Sequence, residues 1–203
     1  MKRNLLIVIA LIISCYSAKL FAACPTGYVE TYIQVTINGC LYNVHLCYNC
    51  TPGPSLNSSL RVFGFAPVNP NCDPNYDPNY ILQSIYDNIY TPQFFSSLCQ
   101  SIPPCINSEG VDITYWYEKC WMKTWIAGQM WYFPCDEGSC HCLKIVTVCY
   151  NVLTRQWDII RTVEGFLSCN SGFDCPIPES SIPDPPQGYN SACFQLWTPC
   201  RTQ

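Results

Sequence analysis

The sequence predicts a mostly β protein built as two disulfide-stapled antiparallel β modules from an internal duplication. One short helix, at about 78–90, is expected in the first module. Three observations carry this. Asn38-Gly39 joins two alternating runs; CLYNVHLCYN from Cys40 returns as CLKIVTVCYN from Cys142; and 17 cysteines occur among 203 residues.

Residues 1–22 read as an export signal. Lys2 and Arg3 supply the positive start, and the apolar stretch 5–13 is too short to span a bilayer. Cleavage after Ala22 would release a soluble chain. Alternatively, Ile12-Ile13-Ser14-Cys15 resembles the lipobox of bacterial lipoproteins, which implies a lipid anchor at Cys15. No later segment reaches the roughly 18 apolar residues of a transmembrane span. The expected location is therefore secreted or cell-surface.

Without Cys15, sixteen cysteines remain: Cys24, Cys40, Cys47, Cys50, Cys72, Cys99, Cys105, Cys120, Cys135, Cys140, Cys142, Cys149, Cys169, Cys175, Cys193 and Cys200. An even, dense set in an exported chain reads as a disulfide framework. Three of the ten basic residues and none of the fourteen acidic ones lie in 1–22, which leaves the mature chain near −7. That balance opposes nucleic-acid binding, which rests on cationic contacts to phosphate.

Asn38-Gly39 is the turn of a two-residue hairpin, because both central positions of a type I′ turn need positive φ. It pairs Ile37 with Cys40 and Val29 with Tyr48. One face then carries Val29, Thr31, Ile33, Val35, Ile37, Cys40, Tyr42, Val44, Leu46 and Tyr48 and should be buried. Cys40 and Cys47 point to opposite faces and are too far apart to bond to each other. A third strand is expected near 60–65. Asp77-Pro78 supplies an N-cap and first turn, and Ile81, Ile85 and Ile89 recur at four-residue spacing, which predicts the helix. Thr91-Pro92 stops it and opens a further turn through Cys99.

The second module begins with a strand over 113–125, a turn at Ala127-Gly128-Gln129 and a return at Met130–Phe133. A hairpin follows, with strands 142–150 and 157–163. Residues 176–188 read as an irregular proline-rich connection. The module boundaries are 23–106 and 107–203. They hold seven and nine cysteines, so at least one bridge must cross if every cysteine bonds within the chain. Cys40, Cys47, Cys99 and Cys105 correspond to Cys142, Cys149, Cys193 and Cys200. Cys50 has no counterpart, which makes it the candidate for the crossing bridge, to Cys135 or Cys140.

Several clusters carry chemistry in principle. Cys140-His141-Cys142 with Asp136 and Glu137 lacks the spacing of a zinc site, so no metal or cofactor is expected. His45 reads as a strand residue at the surface or in packing. Asp73 and Asp77 of the tandem DPNY suit calcium by donor type, but without EF-hand spacing; a turn and helix cap explain them. There is no GxSxG or HExxH motif, and full cysteine pairing leaves no free thiol as nucleophile. Asn49-Cys50-Thr51 and Asn57-Ser58-Ser59 fit the glycosylation sequon.

The aromatic run offers the sharpest functional reading. Tyr115, Tyr117, Trp121 and Trp125 share one strand parity, and Trp131 follows on the return strand. Exposed on a flat sheet, these rings would stack on sugars or anchor a protein; buried, they would be core. Three function classes follow. The favoured one is an exported, non-enzymatic structural or interaction protein with an extracellular protein or glycan as partner. A carbohydrate-binding module using the aromatic surface is the alternative, and a hydrolase or inhibitor the third.

Overall fold

The computed structural model describes residues 23–50, 58–72, 77–99, 102–105, 110–135, 140–165, 169, 175 and 177–199. The export signal, Cys15, Asn57, Asp73, Asp136, Glu137 and Cys200 lie outside them.

β1 (Val29–Ile37) and β2 (Cys40–Asn49) form the expected hairpin, in register from Ile37↔Cys40 to Val29↔Tyr48. Asn38 and Gly39 take φ of 51° and 79°, the positive region that a type I′ turn requires. Val35, Ile37, Cys40, Tyr42, Val44 and Leu46 are buried on the predicted face, while Val29 at the open end is exposed. On the other face His45 and Cys47 are also fully buried. β2 is an interior strand, covered on both sides, so His45 is a packing residue and not a surface one.

β3 (Ser58–Pro67) is buried along its whole length. One edge pairs antiparallel with β2. The other edge is shared. Its first part, Ser58–Arg61, runs parallel to Ile113–Trp116 of β4 (Val111–Glu118), and farther along Phe65 pairs with Tyr132 of β6 (Gln129–Pro134). Tyr90 fills this fork. The Val62 N–H donates to the Tyr90 hydroxyl at 3.2 Å, and that hydroxyl donates to the Trp116 carbonyl, so backbone groups at the fork stay satisfied.

From the fork one branch continues through β4 to β7 (His141–Asn151) and β8 (Gln156–Glu164). The other runs through β6 to β5 (Cys120–Ile126) and the two-residue β9 (Phe194–Gln195). The nine strands make one open sheet. The two halves expected as separate antiparallel modules are therefore joined by the parallel β3–β4 ladder. A buried central strand cannot leave its second edge unpaired, and hairpin patterns carry no signal for what fills it.

The strand expected over 113–125 is broken at Lys119 into β4 and β5. The β5–β6 turn falls at Ala127 and Gly128, with φ of 50° and 80°. α1 (Pro78–Ile89) starts as predicted: the Asp77 carboxylate accepts from the Asn79 N–H at 3.0 Å, and Pro78 occupies the first turn. Its buried stripe, Ile81, Leu82, Ile85, Tyr86 and Ile89, packs on the sheet together with Phe95 of α2 (Pro92–Cys99).

Seven bridges join Cys24–Cys47, Cys40–Cys72, Cys50–Cys99, Cys105–Cys149, Cys120–Cys175, Cys135–Cys193 and Cys140–Cys169. Cys142 is also disulfide-bonded. Among the described residues one bridge crosses between the halves, Cys105–Cys149. Cys50 bonds to Cys99 instead of Cys135 or Cys140, because α2 returns its C-terminal end to the end of β2.

Candidate functional site

Of the two readings open for the aromatic residues, exposed surface and core, burial places Tyr115, Tyr117, Trp121 and Trp131 in the core. Tyr115, Tyr117 and Trp121 share a face, as their parity requires, but it is the face under the helices, where all three are buried. Trp121 is fully buried; its indole N–H donates to the Glu118 carbonyl at 3.0 Å, and its ring meets Phe65 edge-on at 5.6 Å. Trp131 is buried against Phe133 on the opposite face, and Trp125 is half-buried against the core. Helix α1 laid a lid over the face that alternation alone left open. Burial holds the hydroxyls of Tyr115 and Tyr117 protonated well above the ordinary tyrosine range.

The sheet's other face carries a chain of ring and charge contacts. Tyr32 stacks on His45 at 4.5 Å, His45 meets Phe63 edge-on at 5.5 Å, and the Arg61 guanidinium lies 4.9 Å from the Phe63 ring and 5.7 Å from Trp116. Arg61 also pairs with buried Glu118 at 2.9 Å. Burial pushes the Glu118 carboxyl up, and Arg61 opposes that. His45 Nε2 lies 2.9 Å from Glu30 and 3.8 Å from the Cys24 sulfur. Burial lowers the His45 pKa, against the pull of Glu30. Cys24, His45 and Cys47 gather metal-ligating residue types. The two sulfurs are bonded to each other, however, and the thiolate is the metal-binding form of cysteine.

A groove of about 590 Å³ lies between the start of α1 and the segment 178–197. Asp77 and Asn79 contribute from the helix. Glu179 and Ser180 contribute from a 3-10 turn (Glu179–Ser181), and Gln195 and Trp197 from β9 and beyond. The expected irregular connection is thus a wall, and its fixing points are visible. Cys175 is tied to Cys120, and Cys193 to Cys135. The Gln195 N–H donates to the Ile177 carbonyl at 2.8 Å, and the Leu196 N–H to the Lys119 carbonyl at 3.0 Å.

Lys123 locks the 3-10 turn from beneath. Its ammonium donates to Glu179 at 2.8 Å, Asp184 at 2.9 Å and the Ile182 carbonyl at 3.0 Å. Burial would lower the lysine pKa, but these partners outweigh it and hold the ammonium above its ordinary value. Trp197 packs partly on Tyr86, at 6.3 Å between ring centres, and also lines the groove. No protein-family model matches the chain, and the comparisons with curated proteins and with solved structures found no match.

Asp77, legible in the sequence as a helix cap, gives no sign of this groove. Trp197 carries no strand parity or motif. Only the folded chain brings it beside Asp77.

Proposed function

We propose that this is an exported, non-enzymatic interaction protein that works outside the cell by accepting an extended polypeptide segment along β8. The disulfide-rich β fold is consistent with an extracellular protein, and no described helix is long and apolar enough to cross a membrane. One observation carries the reading. Among the described residues β8 is paired on one side only, by β7, and eight of its nine residues are exposed, including Ile159 at 58%, Ile160 at 42% and Val163 at 44%. An unpaired strand edge presents a row of backbone donors and acceptors, and apolar side chains beside it supply contact area. Asp158, Arg161 and Glu164, interspersed with the apolar residues, keep the free strand soluble.

Panning a displayed-peptide library against the purified, oxidised protein tests this. Recovered peptides should be rich in β-branched residues and should lose binding to the Ile159→Lys/Val163→Lys variant, since lysine blunts a strand edge. Peptides that bind this variant as well as the parent would place recognition elsewhere.

A further inference from the structure

The groove beside Trp197 has no β8 residue in its described lining, and β8 and β9 stand at opposite ends of the strand order. Its chemistry therefore stands apart from the strand edge. We propose that this groove is a binding site for a neutral saccharide, one sugar ring of which packs on Trp197 while its hydroxyls meet Asp77, Asn79, Glu179 and Gln195.

The lining residues select this ligand class. Among the described lining residues there is no lysine, arginine or histidine, while there are two carboxylates. A phosphate, sulfate or carboxylate ligand would meet repulsion without a counter-charge. A cation is poorly served as well. Glu179 is already paired with Lys123, whose ammonium sits 2.8 Å from it, and among the described lining residues a single indole is the one aromatic ring. What remains is an array of oxygen acceptors and amide groups around an aromatic and proline-rich floor.

A sugar ring presents the matching pair of surfaces, an apolar C–H face and a rim of hydroxyl donors. Asp77 spends one oxygen, Oδ1, on the Asn79 N–H and side-chain amide, at 3.0 and 3.3 Å, and Glu179 spends one, Oε1, on Lys123. Each carboxylate has a second oxygen to accept a hydroxyl. The volume, about 590 Å³, lies within the roughly 300–1,000 Å³ usual for small-ligand sites.

Both walls of the groove are held in place before any ligand arrives. Binding loses affinity to every side chain or loop it must order. Here the helix cap holds Asp77, and two disulfides with the Lys123 hydrogen bonds hold the opposite wall. The segment has little regular structure yet is tied at 175, 193 and 195, so a ligand would meet a formed surface.

The test uses the full mature oxidised protein on an array of immobilised neutral and anionic oligosaccharides, followed by titration with the best-bound glycan. Neutral glycans should be selected. Trp197→Ala should weaken binding about tenfold or more, the scale of a central aromatic anchor. Because Trp197 also packs on Tyr86, Gln195→Ala is the companion variant: this side chain is exposed, and its loss should weaken binding severalfold without disturbing the fold. The Ile159→Lys/Val163→Lys variant should bind glycan as the parent does. Absence of binding to any arrayed glycan, selection of anionic glycans only, or an affinity unchanged in Gln195→Ala and in folded Trp197→Ala would overturn the proposal.

Discussion

Lys123 reaches out of the middle of β5 to place its ammonium 2.8 Å from Glu179, and this contact helps to tie an irregular loop to the sheet. The lysine side chain is almost wholly buried, while Glu179 and the second partner, Asp184, keep contact with water. Replacing Lys123 with methionine keeps most of the stem and removes the charge. The carboxylates can rehydrate, so the loss should be about 1–3 kcal/mol, below that of a fully buried pair. Equilibrium denaturation in urea would measure it. Protection of the 179–182 amides from hydrogen exchange should fall more than that of β7.

Cys105 and Cys149 make the one described bridge between the two halves of the chain. Non-reducing peptide mapping should recover it, together with Cys50–Cys99. A Cys50 peptide linked to Cys135 or Cys140 would refute the connectivity. The double variant Cys105→Ser/Cys149→Ser should lose about 2–4 kcal/mol, the usual worth of one disulfide. It should nonetheless fold, because the β3–β4 ladder still joins the halves.

Trp121 and Trp125 lie on one strand with the same parity but in different surroundings. Trp121→Ala should cost about 3–5 kcal/mol, as for a large residue removed from a packed core. Trp125→Ala should cost about half that or less, since its ring is only half-buried. Thermal denaturation of the pair separates them; equal losses would contradict the packing described.

His45 makes stability depend on pH. Its folded pKa lies below the ordinary value because burial disfavours the imidazolium, with Glu30 opposing. The groups facing it are Glu30, Tyr32, Phe63 and the Cys24 sulfur. Between the folded pKa and the unfolded value of about 6.5, the unfolded chain binds the extra proton. Stability is therefore full above about pH 6.5 and declines as pH falls below it. Melting temperatures from pH 7.5 to 5 should show this decline, and His45→Gln should flatten it whatever its absolute stability. An unchanged slope in that variant would assign the dependence to other groups.

How much of this was legible in the chain varies with the range of the forces involved. Asn38-Gly39 and period-two alternation set the β1–β2 register to the residue, because turn geometry and side-chain direction are local. Asp77-Pro78 and the isoleucines four apart set α1 for the same reason. Cysteine parity required a bridge between the halves, but spacing misplaced it at Cys50. Bond partners depend on where distant ends of the chain arrive.

The amino-acid sequence by itself determined the mostly β class, the hairpins, the first helix and the pairing parity of Tyr115, Tyr117 and Trp121. Tertiary structure alone decided that α1 covers that aromatic face, that β3 divides its edge between β4 and β6, and that Trp197 stands beside Asp77. Periodicity states which side chains point together. It does not state which surface comes to lie on them, because that is settled by burial and crosslinks between segments far apart in the chain.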